Sequence, residues 1–214
     1  SPGMRDFVIR LQPENFEEII ALIAMYRPGP LNSGMADAYI NRKKGREKLV
    51  YPHAHLEEIL KETYGVILYQ EQVMQIAQRI GGFTRGQSDA LRKAMGKKIR
   101  EKMAEMKELY LKGAQELGYD PKFAASLYDD MAAFAEYGFN KSHSAAYAMV
   151  VYQTAYLKAN FTADYMRAVL DSERNNTDSL VPYIRESRDL GLTVLGPDIN
   201  SSELRFSLED EKTI

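Results

Sequence analysis

The chain has 214 residues, 45% hydrophobic and 27% charged, which suits one large or two small globular domains and excludes disordered and fibrous classes. It has no cysteine, which excludes a disulfide framework, a thiolate metal site and a cysteine nucleophile, and no apolar run nears the roughly 18 residues of a membrane span. A formal net charge of −2 argues, as a total, against a nucleic-acid binder.

The chain opens Ser1-Pro2-Gly3-Met4 with neither an initiator Met nor a signal peptide, and we expect an internal piece of a longer polypeptide. Residues 14–25 carry Phe16, Ile19, Ile20, Ile23 and Ala24 as a one-sided helical stripe, and Pro28-Gly29-Pro30 is expected to end it. Short helices are predicted near 34–43 and 55–62. Over 69–80, Tyr69, Val73, Ile76 and Ile80 share one face, and Gly81-Gly82 stops the helix. Thr84-Arg85-Gly86-Gln87 has capping-box spacing, opening a helix to about Met95 with Gly96 as its stop. A long charged helix over 99–117 ends at Gly118. Asp120-Pro121 starts another, with Phe123, Leu127, Met131 and Phe134 at helical spacing. Asn140 or Ser142 caps a helix over about 142–159, and two more lie near 163–172 and 178–190. Only Leu192-Thr193-Val194-Leu195 reads as a strand. The fold class is all-α, roughly nine helices with a short β segment near the C-terminus.

The charge is not spread evenly. Between Arg85 and Lys102 seven basic residues (Arg85, Arg92, Lys93, Lys97, Lys98, Arg100, Lys102) face two acids, giving +5; between Arg42 and Lys48 five face one, giving +4; the rest of the chain holds −11. Such clusters attract phosphates, although solvated helix surface with local salt bridges accounts for either run as well. On the helix from Arg85, the side chains of Arg85, Asp89, Arg92 and Lys93 share one face, where like charges repel and a polyanionic ligand would relieve them.

A second signal runs from Tyr137 to Tyr147. Small residues at 142 and 144–146 let a helix start close to another backbone or a ligand. Its first-turn amides and dipole favour anions, and Lys141 and His143 add donors. His143 and Tyr147, four apart, share a face. A capped helix with a core Tyr and a hydrogen-bonded His is the plain alternative. Tyr128-Asp129-Asp130-Met131 lies in a helical pattern, where adjacent side chains diverge by about 100° and clamp a metal poorly. His53-Ala54-His55 lacks further ligands, no phosphate-binding GxxxxGK[ST] loop precedes Lys97, and no acidic set suits a two-metal site.

The strings Arg27-Pro28-Gly29-Pro30-Leu31, Gly65-Val66-Ile67-Leu68-Tyr69-Gln70-Glu71-Gln72-Val73-Met74, Leu91-Arg92-Lys93-Ala94-Met95-Gly96-Lys97-Lys98, Gly138-Phe139-Asn140-Lys141-Ser142-His143-Ser144-Ala145-Ala146-Tyr147 and Gly196-Pro197-Asp198-Ile199-Asn200 occur in this order. In them the chain resembles the bacterial C-family replicative DNA polymerases, the DNA polymerase III alpha subunits, from Gly3 to about Asn200. The resemblance implies a fingers domain that binds the incoming dNTP and template–primer DNA during 5′–3′ synthesis. Residues 1–26 would form a palm–fingers junction helix, 27–190 the helical fingers and 191–214 the start of the next segment. Arg92, Lys93, Lys97 and Lys98, with Arg85, would reach the triphosphate. Asn140, Lys141, His143 and Tyr147 would border the nucleotide and template base. Arg27 would hold the junction or touch DNA, with a buried structural ion pair as its other reading. No catalytic residue and no metal ligand would lie in this stretch: Mg2+ would be held by palm aspartates elsewhere, and the sliding clamp and other replicase subunits would bind outside it. The expected location is cytoplasmic, and the isolated stretch is expected to be inactive. A non-catalytic helical DNA- or protein-binding module is the alternative.

Overall fold

Residues 2–134 and 138–214 are described by a computed structural model, and among them the all-α expectation holds, with twelve α-helices and no extended strand. The first two, α1 (Pro2–Leu11) and α2 (Phe16–Met25), are separated by Gln12 in the left-handed region, at φ 51°. Asn15 caps α2 by accepting the Glu18 N–H at 3.0 Å. α1 buries only Phe7 and Leu11 and leaves Val8 and Ile9 exposed.

Pro28-Gly29-Pro30 ends α2 and also opens α3 (Pro28–Asn32). Proline at the first helical position has no N–H to waste, and its fixed φ suits the turn. After α4 (Met35–Lys43) comes a 3₁₀–α–3₁₀ run, Ala54–Leu56, α5 (Glu57–Leu60) and Lys61–Thr63, in place of one helix over 55–62. Four longer helices follow: α6 (Gln70–Gly81), α7 (Arg85–Gly96), α8 (Arg100–Glu116) and α9 (Pro121–Phe134). The capping box at α7 forms as expected: Thr84 accepts the Gln87 N–H at 3.3 Å, and Gln87 accepts the Thr84 N–H at 2.8 Å. Gly96 is not the stop. It stays helical, and Lys98 takes the left-handed conformation, at φ 54°.

The last three helices are α10 (Lys141–Asn160), α11 (Thr162–Glu173) and α12 (Thr177–Asp189). The expected strand at 192–195 is reduced to a parallel bridge of Thr193 with Thr213, flanked by the bond from Leu195 N–H to Ile214 C=O at 2.9 Å. The chain divides into two compact units, Ser1–Ala148 and Met149–Ile214, and α10 runs from the first into the second.

The first unit has two apolar centres. One gathers α1, α2 and α4 with Val66, Leu68, Tyr69 and Ala148. The other gathers Leu56, Leu60 and the inner faces of α6 to α9. At the second, α6 and α8 cross with almost no side chain between them: a Cβ built on Gly113 would lie 2.0 Å from the Gly81 carbonyl oxygen. The second unit packs α11 and α12 against Leu192 and Ile214.

A buried ion pair ties the first centre together. Glu18 is almost fully enclosed, and Lys43 meets it at 2.9 Å while also donating to the carbonyls of Leu11 and Gln12. The ammonium therefore closes the C-terminal end of α1, where the dipole favours a cation. Arg42 pairs with Glu47, and Lys44 donates to the Gln12 side chain. Much of the +4 cluster at 42–48 is thus engaged within the fold.

Candidate functional site

On α7 the cations are organised by one carboxylate. Asp89 Oδ1 accepts from Arg92 Nε and Nη2 at 3.0 and 2.7 Å, and Asp89 Oδ2 meets Lys93 Nζ at 2.8 Å. These bonds, Lys93 first and then Arg92, hold the Asp89 carboxyl below its usual range. The repulsion expected along this face is therefore eased from within, by a three- and four-residue spacing that suits ion pairs. Arg85 and Lys97 are exposed, and among the described residues neither has an ion-pair partner. Arg85 stands at the first turn of α7, where a cation opposes the helix dipole, whereas Lys97 and Lys98 follow its C-terminus, where the dipole favours them. Arg92 is half-buried, and Lys93 and Lys98 are exposed.

The stretch 138–147 is fixed to the start of α6. Tyr137, which opens it, lies outside the described residues. Tyr69 and Phe139 form a parallel bridge, and Gln70 N–H donates to the Phe139 carbonyl at 2.9 Å. Gly138 is tight, with a built Cβ 3.2 Å from the Phe134 ring and 3.3 Å from Gln70. Asn140, not Ser142, caps α10: its Oδ1 accepts the His143 N–H at 2.8 Å. Asn140 Nδ2 and the Lys141 N–H both donate to Glu71, at 2.7 and 3.0 Å, and Lys141 Nζ donates to Glu62 at 2.7 Å. The anion expected at this helix start is thus supplied by the protein itself.

Four residues form a chain of ring contacts. The Arg27 guanidinium lies 4.3 Å over the Phe139 ring, Phe139 and His143 are 5.3 Å apart, and His143 and Tyr147 are 4.7 Å apart. Arg27 Nε also donates to the Ala24 carbonyl at 2.9 Å, and burial lowers the guanidinium's proton affinity. His143 and Tyr147 are exposed at the end of this series, so Tyr147 is not a core residue. A narrow crevice joins the two motifs: Arg92 and Gly96 of α7, Gln70 of α6 and Gly138 line it together.

Asp89, Glu62, Glu71 and Phe139 were not singled out from the sequence. Asp89 was visible on the shared face, but spacing does not say that it bonds both cations. Glu71 and Lys141 are 70 positions apart, and only an acid in the first turn of a helix marked the position. Among the described residues no three His, Asp or Glu side chains are grouped to hold a metal ion. Within α9, Asp129 is paired with Lys107, and burial with the neighbouring Asp129 charge raises the Asp130 carboxyl above its usual range.

The model of the family described as "Bacterial DNA polymerase III alpha subunit finger domain" matches residues 1–118. Proteins named DNA polymerase III subunit alpha are similar over the whole chain: 52% identical in Vibrio cholerae, 51% in Pseudomonas aeruginosa and 49% in Escherichia coli. The chain spans 19% of the length of each of these relatives. No helix among the described residues is long and apolar enough to cross a membrane.

Proposed function

The chain belongs to the bacterial DNA polymerase III alpha subunit finger-domain family, and we propose that it acts as the fingers of a cytoplasmic replicative DNA polymerase, binding the incoming dNTP and template–primer DNA. In this reading residues 1–26 are the junction with the palm, 27–190 the fingers and 191–214 the start of the following segment. What supports it is that Arg92 and Gly96 of α7 line one narrow crevice with Gly138, while His143 and Tyr147 stand exposed on the helix that follows.

Arg92, Lys93, Lys97 and Lys98, with Arg85, would take the triphosphate, placing it and countering charge on the departing oxygens. Arg92 is already held by Asp89, so its fork is oriented before the ligand arrives. Asn140, Lys141, His143 and Tyr147 would border the nucleotide and template base, with Arg27 on Phe139 behind them. The described residues of this chain offer no fitting donor set for Mg2+, so in this proposal the chain's own work is charge and position. Sliding clamp and other replicase subunits would bind elsewhere on the longer protein.

The test uses a full-length alpha subunit carrying this segment. Losing a charge-assisted contact of about 1.5–3 kcal/mol predicts that Arg92→Ala and Lys97→Ala each raise the dNTP KM by roughly 10- to 100-fold. DNA affinity, measured by fluorescence anisotropy, should change little. Unchanged KM with weakened DNA binding would instead favour a helical DNA-binding module without a nucleotide site. Residues 1–214 alone are expected to incorporate no nucleotide on a primed template with magnesium; measurable extension would overturn the division of labour proposed here.

A further inference from the structure

Two helix N-termini meet where α6 and α10 begin, and each has first-turn N–H groups that need partners from outside the helix and a positive dipole end. One carboxylate serves the junction. Glu71, in the first turn of α6, accepts from the Asn140 side chain and the Lys141 backbone, and Glu62 accepts the Lys141 ammonium. The Lys141 ammonium also lies 5.4 Å over the Tyr69 ring. These contacts fix the register and direction of the first turns of α10. His143 and Tyr147 take their places from those turns, the first against Phe139 and the second against His143.

We propose that Glu71, supported by Glu62, is a positioning residue for nucleotide binding: it holds α10 so that the His143–Tyr147 edge faces the nucleotide, and it touches no substrate itself. This rests on the nucleotide-bordering reading of His143 and Tyr147. Carboxylates already fill both the backbone amide at the α10 start and the Lys141 ammonium. Lys141 thus borders the nucleotide through the helix it anchors, and the exposed His143 and Tyr147 are the side chains left to meet the ligand.

The experiment compares Glu71→Ala, Glu71→Gln, Tyr147→Ala and the Glu71→Ala/Tyr147→Ala pair in a full-length alpha subunit carrying this segment. Glu71→Ala should raise the dNTP KM about 5-fold, with Glu71→Gln, which keeps one of the two acceptor oxygens, between it and the parent. The double variant should be no worse than the poorer single, because residues acting as one unit are not additive. Unchanged KM in Glu71→Ala, or multiplied effects in the pair, would overturn the inference. Should His143→Ala and Tyr147→Ala themselves leave KM unchanged, the nucleotide-bordering reading falls, and the inference is judged on the helix alone. Amide exchange over 141–147 that speeds up in Glu71→Ala and recovers in part in Glu71→Gln supports the positioning role; exchange unchanged in Glu71→Ala refutes it.

Discussion

Gly113→Ala is expected to lower the thermal unfolding midpoint of the chain by roughly 6–12 °C, taking a cost of about 3 kcal/mol at about 2–4 °C per kcal/mol for this size. The backbone at Gly113 is helical, so the problem is space. The new methyl would sit 2.0 Å from the Gly81 oxygen and 2.9 Å from its carbonyl carbon, and both are backbone atoms that cannot rotate aside. The helices must part, which loosens Ile76, Ala77, Ile80, Tyr110 and Ala114, all essentially inaccessible. Gly86→Ala is the control: that glycine is helical with nothing within 4 Å, so it should gain about 0.5–1 kcal/mol. Far-ultraviolet circular dichroism melts decide it. A Gly113→Ala midpoint within about 2 °C of the parent would mean that the helices separate at little cost.

The second large effect concerns the enclosed pair of Glu18 and Lys43, with side chains 2% and 6% exposed. Lys43→Ala leaves a carboxylate behind without its cation, and breaking a buried pair costs about 3–5 kcal/mol. Replacing both partners by neutral groups, Glu18→Gln with Lys43→Met, should recover much of it. The pH dependence follows from the directions. Burial pushes the Glu18 carboxyl up, but hydrogen bonds from the Glu14 N–H, the Tyr64 hydroxyl and Lys43 outweigh it, and the net shift is downward. A lowered carboxyl stabilises the fold fully above its unfolded value of about 4.3 and loses that contribution as pH falls through the folded value. Without Lys43 the group titrates higher, so acidification removes less stability from the variant than from the parent. Denaturant titrations from about pH 7 to pH 3 should therefore show the Lys43→Ala deficit shrinking as Glu18 takes up its proton. A deficit constant over that range would remove Glu18 as the cause.

Elements with a local signature were readable in the sequence. The Thr84–Gln87 box and the Asp120 cap, which accepts the Phe123 N–H at 2.8 Å, lie within a few residues of what they cap. Prolines were harder, because Pro28 both ends one helix and starts another. At α1 only Phe7 and Leu11 are buried, too thin a stripe for periodicity to mark its bounds. For the site, the local charge row and the His143–Tyr147 spacing could be seen. What could not is pairing at a distance: Lys43 turns inward to the end of α1 although its neighbours resemble a phosphate patch, and Glu71 and Glu62 reach Lys141 across the whole of α7 to α9. Periodicity reports which face is apolar, not which distant carboxylate a cation will find.

The Tyr69–Phe139 bridge also bears on the order of assembly. It closes a loop of about 70 residues, and for a flexible chain that closure costs on the order of 4 kcal/mol of entropy. Helices α6 to α9 pack mainly through near-neighbours in the chain, on a shared centre, so they shorten the path before its ends meet. The start of α10 is thus expected to join after α6 to α9 have packed.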